Sequence, residues 1–225
     1  FIMLGIIGFI LYQQPDTKSI ILITITGAAM LFISGAPIKY ILGILGIAIV
    51  VFAILVMTRP YLKERVNTFF NPGENSRTSS WQLQQSLIAV GSGGVFGRGL
   101  GQSIQKFKYL PEPQGDSIFA VIGEEMGFVG CSILICLYVA FALRGYRIAI
   151  RNAPDPFSKF LVIGFITIII AQSFMNIASI IGVFPLTGVP LVFVSQGGTA
   201  LLLSLGMVGI ILNISRFTSR PMLER

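Results

Sequence analysis

Carboxylates at the edge of an apolar segment are the residues of this sequence that best fit a reaction. Asp116 stands where a long polar stretch runs into an apolar run, and Glu124 and Glu125 follow about two helical turns later. Partial burial raises the pKa of a carboxylate, and a raised pKa suits a general base. Asp116 is equally suited to an N-cap, because Asp at a helix start accepts backbone N–H bonds. Pairing with a basic residue of missing spans is the alternative for both Glu124 and Glu125, and a simple turn is the alternative for Asp16 beside Pro15.

A glycine-rich segment precedes Asp116 and could hold an anion. Residues 91–101 include six glycines, which would let backbone N–H groups converge on a phosphate. No Gly-Lys-Ser/Thr follows, and no strand–helix unit surrounds the segment, so neither a P-loop nor a dinucleotide site is indicated. Arg98, Lys106 and Lys108 lie nearby and favour a phosphate ligand. A tight structural turn beside a solvated basic face remains the alternative.

Two further segments carry polar or amphipathic patterns. Gln172, Asn176 and Ser179 recur at helical spacing in an apolar run, which indicates either hydrogen bonds between helices or the lining of a hydrated cavity. Residues 195–199 (SQGGT) are mostly small, so other backbones could approach them closely. Residues 81–90 predict a helix with Trp81, Leu83, Leu87 and Val90 on one side, either lying at a membrane interface or packed on its own spans.

The composition places these residues in a membrane protein. Of the 225 residues, 54% are hydrophobic and 11% are charged, less than half the charged fraction of a soluble domain. The absence of histidine excludes Ser-His-Asp triads and most zinc sites. Cys131 and Cys136, five positions apart on one helix, cannot form a disulfide. The net charge of +7 comes from residues at segment ends, which fits membrane orientation and lipid contact rather than nucleic acid.

The hydropathy pattern predicts an all-α integral membrane protein, a polytopic bundle with about five complete spans and one truncated span. The truncated span is residues 1–12, and the predicted spans are 19–33, 38–58, 117–143, 160–182 and 191–214. A polar turn at 13–18, a long loop at 59–116 and a basic connection at 144–159 separate them. Positive-inside reasoning places that connection, Lys39 and the tail arginines Arg216, Arg220 and Arg225 in the cytoplasm, so the long loop is extracellular.

Several motifs together resemble the SEDS family (shape, elongation, division and sporulation). They are residues 84–94 (QQSLIAVGSGG), 97–101 (GRGLG), 105–112 (QKFKYLPE) and 116–125 (DSIFAVIGEE), supported by 13–16 (QQPD) and 185–198. The resemblance covers essentially the whole chain, which we therefore expect to be one transmembrane domain, the C-terminal part of a ten-span protein. The Gln-Lys pair before Tyr-Leu-Pro-Glu is more similar to the division branch, FtsW, than to the elongation branch, RodA.

The resemblance implies a peptidoglycan glycosyltransferase that polymerises lipid II outside the bacterial cytoplasmic membrane during septal synthesis. It implies a class B penicillin-binding protein and other division proteins as partners. A lipid II flippase and a non-catalytic scaffold are the alternatives. The family's essential acidic residue falls on Asp116 and its Pro-Asp pair on Pro15 and Asp16. Further candidates for substrate binding or the site are Arg98, Lys106, Lys108, Glu112, Gln85, Asp16, Glu124, Gln172, Asn176 and Ser195.

The resemblance leaves the cofactor open, and the sequence departs from the family pattern at a few positions. A divalent cation, Mg²⁺ or Mn²⁺, would find oxygen ligands in Asp16, Glu112 or Asp116. Thr17-Lys18-Ser19 replaces the usual Leu-Gly-Thr after the Pro-Asp pair, and Gly115-Asp116-Ser117 replaces Thr-Asp-Phe. Gln196 replaces a tyrosine, and Val192 replaces a proline.

Overall fold

The structure is a computed structural model that describes residues 16–70, 79–151 and 153–217. These residues form α-helices joined by turns, with no strand among them. The helices are α1 (Thr17–Ile33), α2 (Ile38–Thr58), α3 (Pro60–Phe70), α4 (Ser79–Ser92), α5 (Gln105–Lys108), α6 (Ile118–Arg151), α7 (Pro156–Ile180) and α8 (Gly198–Ser215). The predicted truncated span at 1–12, most of the 13–18 turn, and Arg220 and Arg225 lie outside the described residues.

Within the described residues, four helices are long and apolar enough to cross a membrane, namely α2, α6, α7 and α8. The first predicted span, α1, has 17 residues and is slightly shorter than a typical crossing. The structure therefore confirms an all-helical, multi-pass membrane protein. The segment between α2 and α6 carries the short helices α3, α4 and α5, which agrees with the predicted loop at 59–116. Its extracellular side remains a prediction.

Local sequence signals explain where the helices begin and end. Asp16 is the N-cap of α1, and its carboxylate accepts from the backbone N–H of Ser19 at 3.4 Å and from the Ser19 hydroxyl at 2.7 Å. Asp155 caps α7 in the same way through Ser158, at 2.9 Å and 2.7 Å. Pro60 and Pro156 occupy the first positions of α3 and α7, where a missing N–H costs nothing.

Two predicted boundaries were wrong. The basic connection at 144–159 is mostly helical, since α6 continues to Arg151, and Arg144, Arg147 and Arg151 lie on its last turns. The helix continues past Arg144 because no helix breaker occurs before Pro154. A proline disfavours helical backbone at the residue before it, so Pro154 marks the limit of the helix. The last span begins at Gly198 rather than at residue 191. Residues 191–197 form a turn in which the backbone N–H of Leu191 donates to Ser195 Oγ at 2.8 Å.

The chain divides into two compact units. Of the described residues, the first unit comprises those within 16–48, 138–171 and 198–217, and the second comprises those within 49–137 and 172–197. The core of the first unit is aliphatic and comes from α6, α7 and α8, with the Tyr146 hydroxyl 2.9 Å from Thr167 Oγ1. The second unit contains Asp116, the glycine-rich segment and the loop after α7. Its buried core residues include Leu83, Ala89, Leu110, Phe119, Ala120, Ile177, Val189 and Leu191.

Candidate active site

Asp116 lies two residues before α6, and side chains from other elements hold its carboxylate. Gln82 of α4 donates from Nε2 to Asp116 Oδ1 at 3.2 Å and to Ser117 Oγ at 3.0 Å. The Ser117 hydroxyl donates to the same carboxylate oxygen at 3.4 Å. None of the hydrogen bonds found in the described residues joins this carboxylate to an N–H of the first turn of α6. The N-cap interpretation of Asp116 is therefore not supported, and its carboxylate remains available for chemistry.

The electrostatic environment of Asp116 suits a general base. Partial burial is the largest effect and raises the pKa of Asp116 above its ordinary value of 3.8, and the charge of Glu112 raises it further. The hydrogen bonds from Gln82 and Ser117 and from the Asp116 backbone oppose this rise, because they stabilise the ionised form. The structure thus brings Glu112 close enough to influence Asp116. Glu112 has a left-handed backbone (φ 47°), and its carbonyl accepts from the N–H groups of Gly115 and Ser117.

The polar stripe of α7 fastens the backbone around Asp116. Asn176 donates from Nδ2 to the carbonyl of Asp116 and to that of Val189, both at 2.6 Å. Gln172 donates to the carbonyl of Pro190 at 3.2 Å. Ser195 donates to the carbonyl of Gly115 at 2.6 Å. These donors are used within the protein, so the stripe acts through hydrogen bonding rather than as the lining of a hydrated path.

Two residues beside Asp116 were not predicted, Gln82 and Arg65. Arg65 lies on α3 and donates from Nη1 to the carbonyl of Leu186 at 3.0 Å. Gly188 lies near both Arg65 and Asp116: a Cβ built on Gly188 would be 3.6 Å from Asp116 Oδ2 and 3.8 Å from Arg65 Nη2. No local sequence pattern marks Arg65, because it reaches the site only through contacts with residues more than a hundred positions away. Gln82 falls in the predicted helix at 81–90 and could have been found as a polar residue three positions before Gln85.

The glycine-rich segment is a structural turn joined to a break in α6. Gly127 has φ 64° and ψ −162°, so the helical hydrogen bonds stop there. Phe128 and Val129 donate instead to the carbonyls of Gly94 and Val95, at 2.9 Å and 3.1 Å. The carbonyls of Glu124 and Glu125 accept from the N–H groups of Arg98 and Gly99, at 2.9 Å and 3.0 Å. Three N–H groups expected at an anion site, those of residues 97, 98 and 99, are therefore used within the backbone.

Glu124 and Glu125 have partners within the chain. Glu124 is completely buried, and its carboxylate accepts from the Ser103 hydroxyl at 2.5 Å and from the N–H groups of residues 104 and 105. Arg98 approaches Glu124 to 3.6 Å, and Lys106 approaches Glu125 to 3.7 Å. The alternative in which both glutamates pair with basic residues of missing spans was wrong about the partners, because Arg98 and Lys106 belong to this chain. Arg98 and Lys106 are held by these pairs, and their role with a substrate stays a prediction.

The other candidates have varied surroundings. Lys108 is exposed at the end of α5, and Gln85 is buried within α4. The buried face of α4 carries Ser80, Leu83, Ser86 and Ala89. Trp81 and Leu87 are exposed, so of these predicted apolar residues only Leu83 is fully buried within the protein, and the position of α4 at a membrane interface stays a prediction. Small side chains let this helix pack closely. Trp81 is half-exposed and donates from Nε1 to the carbonyl of Tyr109 at 3.1 Å.

A metal site is not evident among the described residues. No group of three or more His, Cys, Asp or Glu residues is close enough there to hold an ion. Glu112 and Asp116 are neighbours, whereas Asp16 belongs to the other unit and caps α1. The protein residues present do not by themselves fit Mg²⁺ or Mn²⁺, so the cation stays a prediction in which phosphate oxygens and water would supply most ligands.

Comparison with known proteins agrees with the motifs around Asp116. Residues 1–220 match the FtsW/RodA/SpoVE family of cell cycle proteins. The chain belongs to this family. One similar member of the family is the Stage V sporulation protein E of Bacillus subtilis. It is 43% identical over 211 residues, which are 93% of this chain and 57% of that protein. The probable peptidoglycan glycosyltransferase FtsW of Geobacter sulfurreducens is 37% identical over 214 residues, which are 95% of this chain and 57% of that protein.

Solved structures show the same FtsW/RodA/SpoVE fold. A chain from a study of polymerisation and crosslinking by a peptidoglycan synthase complex superposes with a TM-score of 0.74 at 24% identity, covering 95% of this chain and 60% of that chain. A mutant of the rod shape determining protein RodA of Thermus thermophilus superposes with a TM-score of 0.63 at 20% identity, covering 98% of this chain and 58% of that chain. The chain therefore spans a little over half the length of the relatives it matches. The resemblance to this family is confirmed.

Proposed function

We propose that the protein containing this chain is a peptidoglycan glycosyltransferase that polymerises lipid II. The observation that supports this most directly is Asp116, a partly buried carboxylate of raised pKa, held by Gln82 and Ser117 at the start of a spanning helix. Family membership and the printed names of the FtsW relatives support the same activity. The site lies in the segment predicted to be extracellular, so polymerisation would take place at the outer face of the cytoplasmic membrane.

In this proposal Asp116 acts as the general base of an inverting transfer. The 4-hydroxyl of the acceptor sugar attacks the anomeric carbon of the lipid-linked donor and gives its proton to Asp116. The new glycosidic C–O bond forms as the bond from the anomeric carbon to the diphosphate breaks, and undecaprenyl pyrophosphate leaves with the negative charge. Partial burial raises the pKa of Asp116 and so makes its carboxylate a stronger base. A divalent cation, if bound, would stabilise the charge of the leaving diphosphate.

The same proposal includes partners and a location. A class B penicillin-binding protein would crosslink the strands, other membrane proteins of the division machinery would hold the pair at the septum, and membrane lipids would surround the spans. The basic residues Arg144, Arg147 and Arg151 at the end of α6 support a cytoplasmic position for that end and for the C-terminus, which two spans separate from it. No nucleic-acid partner is part of the proposal.

The test uses the full-length protein reconstituted in liposomes with its penicillin-binding partner and labelled lipid II. We expect glycan strands from the wild type and none from Asp116→Asn, with equal folding of both proteins checked by thermal unfolding. Asp155→Asn is the matched control, because this exposed aspartate caps α7 and an asparagine also caps helices. Transport of lipid II without polymer would favour a flippase instead. The absence of both activities would favour a scaffold.

A further inference from the structure

Arg65 is a cation held beside Asp116 without neutralising it. Its Nη1 donates to the carbonyl of Leu186 at 3.0 Å, and its guanidinium carbon lies 5.9 Å from the centre of the Tyr61 ring. The first contact fixes the guanidinium relative to the loop after α7, and the second lies within α3, which carries both Tyr61 and Arg65. Among the ion pairs in the described part of the chain, none joins Arg65 to Asp116. The carboxylate is instead held by neutral donors, Gln82 and Ser117.

Gly188 lies close to both of these opposite charges. The position that a Cβ would take on Gly188 is 3.6 Å from Asp116 Oδ2 and 3.8 Å from Arg65 Nη2, so both groups border one point, here called the gap over Gly188. Asp116 Oδ2 and Arg65 Nη2 are therefore no further apart than the sum of these two distances. Oppositely charged groups this close would ordinarily gain by closing into an ion pair. Separate hydrogen bonds anchor each group instead.

Such an arrangement matches a transfer in which the hydroxyl of one substrate and the anionic leaving group of another meet at one place. A guanidinium binds phosphate oxygens with paired N–H donors, and Arg65 Nη2 lies 3.8 Å from the Cβ position of Gly188. Arg98 and Lys106 are less suitable, because each is held by a glutamate of α6. Building on the glycosyltransferase activity proposed above, we propose that Arg65 binds the diphosphate of the lipid-linked donor across the gap over Gly188, opposite Asp116.

The first test measures binding separately from catalysis. Full-length Asp116→Asn protein in nanodiscs with its penicillin-binding partner is titrated with fluorescent lipid II, with Arg65 intact or replaced. We expect Arg65→Gln to weaken binding by about tenfold or more, because a charge-assisted contact to phosphate is lost. Arg65→Lys should weaken it less, because the ammonium keeps the charge but not the paired donors. Lys63→Gln is the matched control, since Lys63 is exposed on the same helix and loses the same charge.

The second test fills the gap over Gly188. Gly188→Ala places a methyl group within 4 Å of both Asp116 Oδ2 and Arg65 Nη2. Gly182→Ala is the matched control for backbone strain, since φ is 63° at Gly188 and 75° at Gly182. The Cβ at position 182 would meet Leu83 and Leu87, away from the carboxylate. We expect Gly188→Ala to weaken lipid II binding several-fold more than Gly182→Ala does. Equal effects of the two alanines would contradict a ligand in this gap.

The outcomes separate this inference from the activity on which it rests. If the wild type polymerises lipid II and Arg65→Gln binds within twofold of the unmodified background, the inference is wrong and the activity stands. An equal loss from Lys63→Gln would also overturn it, since a general effect of charge would then explain the result. If Arg65→Gln fails to fold, the comparison of Gly188→Ala with Gly182→Ala decides, and equal effects of the two alanines overturn the inference. A wild type that makes no polymer contradicts the glycosyltransferase itself.

Discussion

The side chain of Asn176 holds the backbone of Asp116, donating to its carbonyl at 2.6 Å while donating equally to the carbonyl of Val189. One buried amide of α7 therefore joins the start of α6 to the loop that carries Gly188. The position of the candidate base depends on this bridge as much as on the helix that follows it.

Removing this bridge should both destabilise the protein and slow the reaction. Asn176→Ala leaves two carbonyls without their donor, and we expect a loss of about 1–3 kcal/mol in the free energy of unfolding. The polymerisation rate should also fall, because the backbone of Asp116 is no longer fixed. Thermal unfolding in detergent and lipid II polymerisation measure the two effects. Asn213→Ala is the control: Asn213 is exposed on α8, and we expect a change within about 0.5 kcal/mol. Equal destabilisation by both variants would contradict the role of the bridge.

The pH dependence of polymerisation should follow the surroundings of Asp116. The base acts as a carboxylate, so the rate falls as pH drops through its raised pKa, which lies above the ordinary value of 3.8. Glu112→Gln removes a repelling charge and lowers the pKa of Asp116, so the acid limb of kcat/KM should move to lower pH. Gln82→Leu removes a hydrogen bond to the ionised form and raises this pKa, so the limb should move to higher pH.

The opposite signs of these two shifts make the pH test specific. Asp155→Asn should leave the acid limb unchanged, because Asp155 is exposed and caps α7 in the other unit. If Glu112→Gln and Gln82→Leu moved the limb in the same direction, or not at all, a group other than Asp116 would control it.

The junction between the glycine-rich segment and α6 predicts a sharp contrast between two nearby glycines. A Cβ on Gly93 would overlap the carbonyl of Gly123, whereas a Cβ on Gly91 meets nothing within 4 Å. We expect Gly93→Ala to lower the free energy of unfolding by about 3 kcal/mol or more, since two backbones must separate. Gly91→Ala, within α4, should be neutral or stabilise by up to about 1 kcal/mol. Thermal unfolding of both variants measures the contrast, and similar stabilities would refute the close packing.

Much of the fold could be predicted from the sequence, because membrane spans and helix ends are local features. The apolar run at 38–58 and the helix at 81–90 correspond closely to α2 and α4. The end of α6 and the start of α8 were predicted wrongly for different reasons. Charge at Arg144 and Arg147 does not end a helix, and apolar residues at 191–194 do not start one when Ser195 binds the backbone of Leu191.

The site was predictable only in part. Asp116 stands out at the boundary between polar and apolar segments, and the polar stripe of α7 follows from helical spacing. Arg65 gave no such signal, since its contact with Leu186 joins residues 121 positions apart. The glycine-rich segment was open to two interpretations because its use depends on the break at Gly127, which only the packed structure reveals.

The most direct measurement is the initial rate of lipid II polymerisation by the full-length protein with its penicillin-binding partner, for wild type, Asp116→Asn, Asp116→Glu and Asp155→Asn. We expect a loss of at least about 100-fold for Asp116→Asn, since no base remains. Asp116→Glu should keep measurable activity, because a displaced carboxylate is still a base, and Asp155→Asn should match the wild type. Polymerisation by Asp116→Asn at the wild-type rate would show that Asp116 is not the catalytic base.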